Sequence, residues 1–577
     1  MYSSVKKIFF LLTLSWFVLS SHSSCNDDKS PAEPSSPATV GTTTNANTDT
    51  SSNNNSNPGS DDNYKILQTS SESSDVEIAF NINAATTYQT IEGFGASDCW
   101  LGEYIGEKFT ATQKQELSNL LFSQNVTSDG TPVGIGLSMW RFNLGAGSME
   151  QGDNSGIENI ANRAQCFLNN GAYDRTKCSG QVYFLQQAKK LGCEKVVMFS
   201  NSPLVDYTFN GQGRSDKGAY ANLKEEYYDD YAQYIVDVCK HFCDNGIQID
   251  YISPVNEPQY NWDGKTQEGS GWQNSEVASL TKEINSKIET AGIPTQIILG
   301  EAGSFEYLYK NNLEGRSDIV ADMFTATGTN YIAGLSHVKP VVCAHSYWID
   351  GSWADLKSSR TSALNKASAQ GMGIWQTEYS MLGDAPTKGG EFFTTYDDAK
   401  YIDLSLWLSK VIHADMVYAN ASSWSYWTVF GQERYSQKNR FRLIKVGQSV
   451  GDYVEDYTEA SDATTYQTGT NLYVPGNYSR FVRPGYVRVD VGFDADSYSK
   501  TLFASGYLSP DQSKLVVVYT NMTEEKIRVN PSVAGYEGFT KIYRYVTSAD
   551  KKLAFNKVSD AKVVLPAKSV VTVVFSK

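Results

Sequence analysis

The sequence predicts an α/β chain: a (β/α)8 TIM barrel carrying an all-β sandwich domain built mainly from the C-terminus. Three observations lead there. From Gly93 onward, short apolar runs alternate with amphipathic helical patterns, and eight such runs occur. After about Phe430 the helical period stops and short strand-like runs with turn residues take over. Between the signal-like leader and residue 76 there is almost no apolar content.

The elements follow in chain order. Lys6 and Lys7 precede an apolar run from Ile8 to Leu19, too short to cross a membrane and of secretory-signal form over residues 1–24. "SHSSC" then ends on Cys25. It is similar to a bacterial lipobox, although His22 stands where Leu is usual. The resemblance implies lipidation at Cys25; cleavage just before it is the alternative. The acidic "CNDDKS" that follows resembles surface-exported lipoproteins. A secreted or outer-membrane, cell-surface location is therefore expected, with the lipid as the sole tie to a membrane. Residues 25–75 are rich in Ser, Thr, Asn and Asp and read as a disordered tether.

"VEIAFNI", within residues 76–92, alternates like a strand and is expected to join the side β-domain. Residues 93–480 hold the barrel. Its strands are read in "IEGFGAS", "GIGLSMWRFNLG", "KVVMFSNSP", "YISPVNEP", "TQIILGE", "VVCAHSYW", "GIWQTEYS" and "SWSYWTVF". Among the helices, "ATQKQELSNLLF" offers Thr112 as N-cap with Gln115 three residues on. Others end at Gly192, Gly246 and Gly292. Residues 481–577 form the sandwich, with strands such as "KLVVVYTN", "KIYRYV" and "SVVTVVF".

Composition narrows the function. The net charge is −15, which argues against nucleic acid as a partner. With 5 His and no Cys/His pair at metal-ligand spacing, no metal or cofactor is expected. Cys166 and Cys178 could close a small disulfide loop. Aromatics reach 12%, and every Trp beyond the leader lies between Trp100 and Trp427.

Barrel chemistry gathers at the carboxyl ends of the strands. There stand Arg141 and Asn143 on the second, Asn201 on the third, Asn256 and Glu257 on the fourth, and Glu301 on the fifth. His345 and Tyr347 follow the sixth, Glu378 ends the seventh, and Trp424 and Trp427 mark the eighth. Glu257 and Glu378 face each other across the mouth. Paired carboxylates of this kind run glycoside hydrolysis, one protonated and one ionised. Arg141 is the cation to keep one charged, and Tyr347 a hydrogen-bond donor to Glu378. Asn256 can bond a sugar 2-hydroxyl. Glu301 is read evenly as a site group or a structural ion-pair partner, and His345 as a direct contact or a support. Trp427 is a sugar contact or core. Trp262 and Trp272, in a loop, read as sugar platforms.

These residues carry a resemblance. "GFGAS" (93–97), "RFNLG" (141–145), "FSNSP" (199–203), "SPVNEPQ" (253–259), "HSYW" (345–348), "WQTEYS" (375–380) and "NYSRFVRPG" (477–485) occur in the order seen in glycoside hydrolase family 30. The resemblance implies a retaining glycosidase acting on a β-linked polysaccharide, with Glu257 as acid/base and Glu378 as nucleophile. Arg141, Asn143, Asn201, Asn256, Trp262, Tyr347 and Trp427 would then bind substrate, and the chain would work as a monomer. Gln267, Glu268 and Gly269 after the acid/base resemble the endo-β-1,6-galactanase-like branch. That branch usually follows "SNSP" with tryptophans and a methionine; this chain has Leu204, Val205 and Asp206. β-1,6-Glucanase or glucuronoxylanase specificity is the alternative, as are a transglycosylase and a non-catalytic glycan-binding lipoprotein.

Overall fold

The computed structural model describes residues 66–67, 72–381, 399–431, 442–450, 457–459 and 464–577. The signal-like leader, Cys25 and most of the tether lie outside the described residues. Eight strands close a parallel barrel in chain order: β1 (Gly93–Ser97), β2 (Met139–Asn143), β3 (Lys195–Phe199), β4 (Tyr251–Ser253), β5 (Gln296–Ala302), β6 (Val338–His345), β7 (Gly373–Glu378) and β8 (Ala421–Tyr426). All eight are the strands read from the sequence. Helices follow most of them, including Ser179–Lys190, Tyr228–Asp244, Asn274–Ala291, Trp353–Ser368 and Tyr401–Tyr418.

The barrel closes because each strand splits its side chains between two cores. Met139, Val197, Tyr251, Ile298, Val341, Cys343 and Trp375 fill the inside. Their neighbours Trp140, Val196, Ile252, Leu299, Val342 and Ile374 join the larger core under the helices. This is the period of 2 that strands impose. Where β1 is squeezed between β2 and β8 only glycine fits: a methyl on Gly95 would sit 2.9 Å from the Met139 carbonyl and 3.0 Å from Ser425 Oγ.

Ten further strands form one sheet, and the other short strands pair in separate two- and three-stranded sheets. Val76–Thr90 enters the ten-stranded sheet beside Val487–Phe493 and Ile527–Ala534. That sheet folds over on itself. Phe80 and Tyr519 lie three strands apart in the order, about 14 Å in a flat sheet, yet their rings are 5.2 Å apart. The segment "NYSRFVRPG" joins sheet to barrel. Arg480 donates to the carbonyls of Ser123, Gly134, Gln124 and Asn125, and Asn477 Nδ2 donates to Thr572 Oγ1 at 3.0 Å.

Three local expectations are corrected. The N-cap of Ala111–Phe122 is Thr110 with Gln113, not Thr112 with Gln115; the same T-x-x-Q spacing begins two residues earlier, and both reciprocal bonds form there. Cys166 and Cys178 are free, buried thiols, with Cys166 turned to the Leu168 carbonyl. Ordered structure also begins inside the stretch read as tether. Its apolar pair Ile66–Leu67 runs parallel to Lys557 and Val558, and Glu72 takes an ion pair from Arg544 at 2.7 Å.

Candidate active site

Alternation along a strand does not by itself deliver both acids to the mouth. On β7, Trp375 and Thr377 point inward, so Glu378 should point out. A register shift between Ala344 and His345 breaks the β6–β7 ladder and pairs His345 with Glu378. Such bulges re-aim side chains, and Glu378 turns inward. Glu257 lies beyond β4 with φ +43°, and Glu301 has φ +37° just after Gly300 at φ +108°. Left-handed backbone of this kind is costly for residues other than glycine and gathers at functional sites.

The three carboxylates share two cations. Arg141 Nη1 donates to Glu378 Oε2 at 2.5 Å, and Nη2 donates to Asn256 Oδ1 at 3.1 Å. Its Nη2 is also 3.6 Å from Glu301. The guanidinium lies on the Phe199 ring at 3.7 Å, with Trp427 beyond at 5.9 Å. His345 bridges the other pair, with Nδ1 2.8 Å from Glu257 Oε1 and Nε2 3.0 Å from Glu301 Oε2. Tyr347 Oη donates to Glu378 Oε1 at 3.0 Å. Glu301 also accepts from Ser253 and Thr377, so it is a fully buried counter-ion. All of these side chains are buried.

The charges sort accordingly. Burial alone would lower the His345 pKa, but the charge of Glu378 and the bonds to Glu257 and Glu301 raise it to about 10. Burial acts to raise Glu301, but the His345 bond and the Arg141 charge outweigh it and leave its pKa lowered. Glu257 is raised, first by burial and further by the negative charge of Glu378, against the pull of His345. Two cations thus face three carboxylates, and burial favours the protonated form of Glu257. Glu257, His345 and Glu378 offer atoms within 4.8 Å of one another. Both ring nitrogens of His345 are already taken by carboxylates, so this cluster stands as an ion-pair network rather than a metal cage.

The remaining sequence-read residues fall around this centre. Asn201 Nδ2 donates to Asn143 Oδ1 at 3.3 Å, and Asn143 Nδ2 and Asn201 Oδ1 are buried with no partner among the described residues. Trp427 packs edge-on to Trp100 and Phe199. Trp262 is half-buried; its indole lies against Gly269, where a methyl would come 2.3 Å from the ring, and its N–H donates to the Glu257 carbonyl at 3.2 Å. Trp272, read as a platform, is instead core: it is 1% exposed and packs against Tyr228.

Two features were not given roles by the sequence. Glu268 accepts from the Ala146 and Ser148 N–H groups and from Ser148 Oγ, tying the loop after β4 to the loop after β2. Burial raises its pKa to about 7 against these bonds. Trp348 is 64% exposed at the mouth; its place next to Tyr347 in "HSYW" was the available signal.

A parallel eight-stranded barrel with an acidic pair held by Arg and His at its carboxyl-end mouth defines a (β/α)8 glycosidase. Residues 77–439 match O-glycosyl hydrolase family 30, and the chain belongs to that family. An endo-beta-1,6-galactanase of Hypocrea rufa is 23% identical over 463 residues, covering 76% of this chain and 83% of that protein. Glucuronoxylanase XynC of Bacillus subtilis (strain 168) is 24% identical over 346 residues, 60% of this chain and 64% of that one. A conserved exported protein from Bacteroides fragilis, known by its crystal structure, superposes with a TM-score of 0.77 at 30% identity, covering 86% of this chain and all of the other.

Proposed function

We propose that the chain is a retaining glycosidase that cuts within β-linked polysaccharide, with β-1,6-galactan as the first candidate. The observation that carries this is the approach of the two acids: an oxygen of Glu257 lies within 4.8 Å of one of Glu378. Retaining enzymes hold their carboxyls about 5–5.5 Å apart, inverting ones about 6.5–9.5 Å. Glu378, ion-paired to Arg141, attacks the anomeric carbon as the glycosidic C–O bond breaks. Glu257 passes its proton to the leaving oxygen through Oε2, since Oε1 is committed to His345. Water then attacks the same carbon, gives its proton to the Glu257 carboxylate and releases Glu378. Asn256, held by Arg141 through Oδ1, has its amide N–H groups left for the sugar beside the anomeric carbon. Asn143 Nδ2 and Asn201 Oδ1, without partners among the described residues, stand at the ends of the neighbouring strands β2 and β3.

The sugar assignment rests on the galactanase relative and on the Gln267-Glu268-Gly269 loop. Against it stand Leu204, Val205 and Asp206; Leu204 and Val205 are buried and offer no aromatic face. That observation favours β-1,6-glucan or glucuronoxylan as the second reading. The N-terminal signal and Cys25 support export and lipid anchoring as part of the same proposal. The test is product analysis on β-1,6-galactan, β-1,6-glucan and glucuronoxylan with wild type and Glu257→Gln. Short oligosaccharides from galactan alone, absent with the variant, support the first reading. Cleavage of another polymer moves the specificity and keeps the two acids. No product from any of them overturns the proposal.

A further inference from the structure

Trp348 is the most exposed large hydrophobic residue of the described chain, at 64%. It is also held in left-handed backbone, φ +62°, where a bulky residue sits only if its surroundings force it. They do. On its N-terminal side, Ser346 Oγ donates to the buried Asp415 at 3.0 Å, and the Ser346 N–H donates to the Glu378 carbonyl at 3.2 Å. On its C-terminal side, Arg360 Nη1 donates to the Ile349 carbonyl at 3.0 Å, and Arg360 Nε pairs with Asp415 at 2.8 Å. A buried ion pair therefore clamps both flanks of an indole left in water.

The position of that indole is chemical. A methyl placed on Gly303 would lie 3.1 Å from Trp348 Cζ3 and 3.3 Å from Glu257 Oε1. The ring edge and the acid thus share the bare face of Gly303. The proton of Glu257 goes to the leaving oxygen, so the sugar beyond the scissile bond must lie beside that carboxylate. The geometry points to Trp348 as the platform for the leaving-group sugar, stacking on it and so selecting polymer over short or unglycosylated leaving groups. This rests on Glu257 being the acid, as in the proposed mechanism.

The experiment compares wild type, Trp348→Ala and Trp348→Phe on two substrates: the polysaccharide that wild type cuts best among the three tested, and the β-fluoride of its repeating sugar. Fluoride leaves without a sugar on that side. Burying one sugar face on an indole predicts that KM for polymer rises about tenfold or more in the Ala variant. The Phe variant, which keeps a ring beside Tyr347, recovers most of it, and in both variants kcat/KM falls far less on the fluoride than on polymer. Equal losses on both substrates make Trp348 a structural support and overturn the platform. Unchanged polymer kinetics in both variants, with wild type active, overturn it as well. A wild type inactive on all three polymers and on the fluoride ends the functional reading and the platform together.

Discussion

Tyr347→Phe removes one oxygen from a packed site and nothing else. The ring is buried between Tyr379 at 6.0 Å and Trp348 at 5.8 Å, so its place is kept. What is lost is the 3.0 Å bond to Glu378 Oε1. The other oxygen keeps Arg141 at 2.5 Å, while Oε1 is left, among the described residues, with His345 Nδ1 at 3.7 Å. The two chemical steps should respond differently. In the first, Glu378 loses charge as it bonds carbon, so a donor to it gives little net help. In the second, Glu378 departs as a carboxylate, and a donor stabilises it. A hydrogen bond to a charged group contributes about 1.5–3 kcal/mol, which slows the second step about 10- to 150-fold. The glycosyl-enzyme then accumulates. Rapid quench with an activated aryl glycoside should show a burst of leaving group, and mass spectrometry a sugar adduct on the peptide bearing Glu378. An unchanged kcat with no adduct would refute the reasoning, as would an equal slowing of both steps.

Other expectations follow from the same network. Activity should fall on the alkaline side as Glu257 loses its proton, at a pH above the ordinary glutamate range because its pKa is raised; in Glu257→Gln the release of fluoride from a glycosyl fluoride should persist and lose that limb. His345 titrates near 10 in the fold against about 6.5 unfolded, so its stabilisation is full below about 6.5 and lost as pH rises through about 10. Unfolding midpoints of wild type and His345→Gln should converge over that window, and parallel curves would contradict it. Asp415→Asn breaks the buried pair with Arg360 and should lower stability by about 3–5 kcal/mol, read by chemical denaturation; a loss under about 1 kcal/mol, as for an exposed pair, would contradict that reading.

The barrel strands were legible because parallel strands buried on both faces leave continuous apolar runs, and "YISPVNEP" or "GIWQTEYS" could be little else. Glu257 and Glu378 were legible as polar ends to such runs. What turned them toward each other was not. The bulge at Ala344/His345 and the left-handed backbone at Glu257 and Glu301 are set by ladder pairing across the barrel, which no local pattern encodes. The same holds for the loop tryptophans. Trp272 and Trp348 are alike in hydropathy, yet Trp272 is core and Trp348 faces water, because burial depends on what the rest of the chain brings near. Thr110 and Thr112 show the smaller version: equal as caps on paper, separated by where the helix starts.

Double displacement at one carbon is the central step of the proposed mechanism for Glu257, Glu378 and Arg141. Proton NMR of the first products from the preferred polysaccharide reads it directly. The β-anomer of the new reducing end should appear first and equilibrate later to α. An α-anomer appearing first would mean single displacement, and would contradict Glu378 as nucleophile and Glu257 as acid/base.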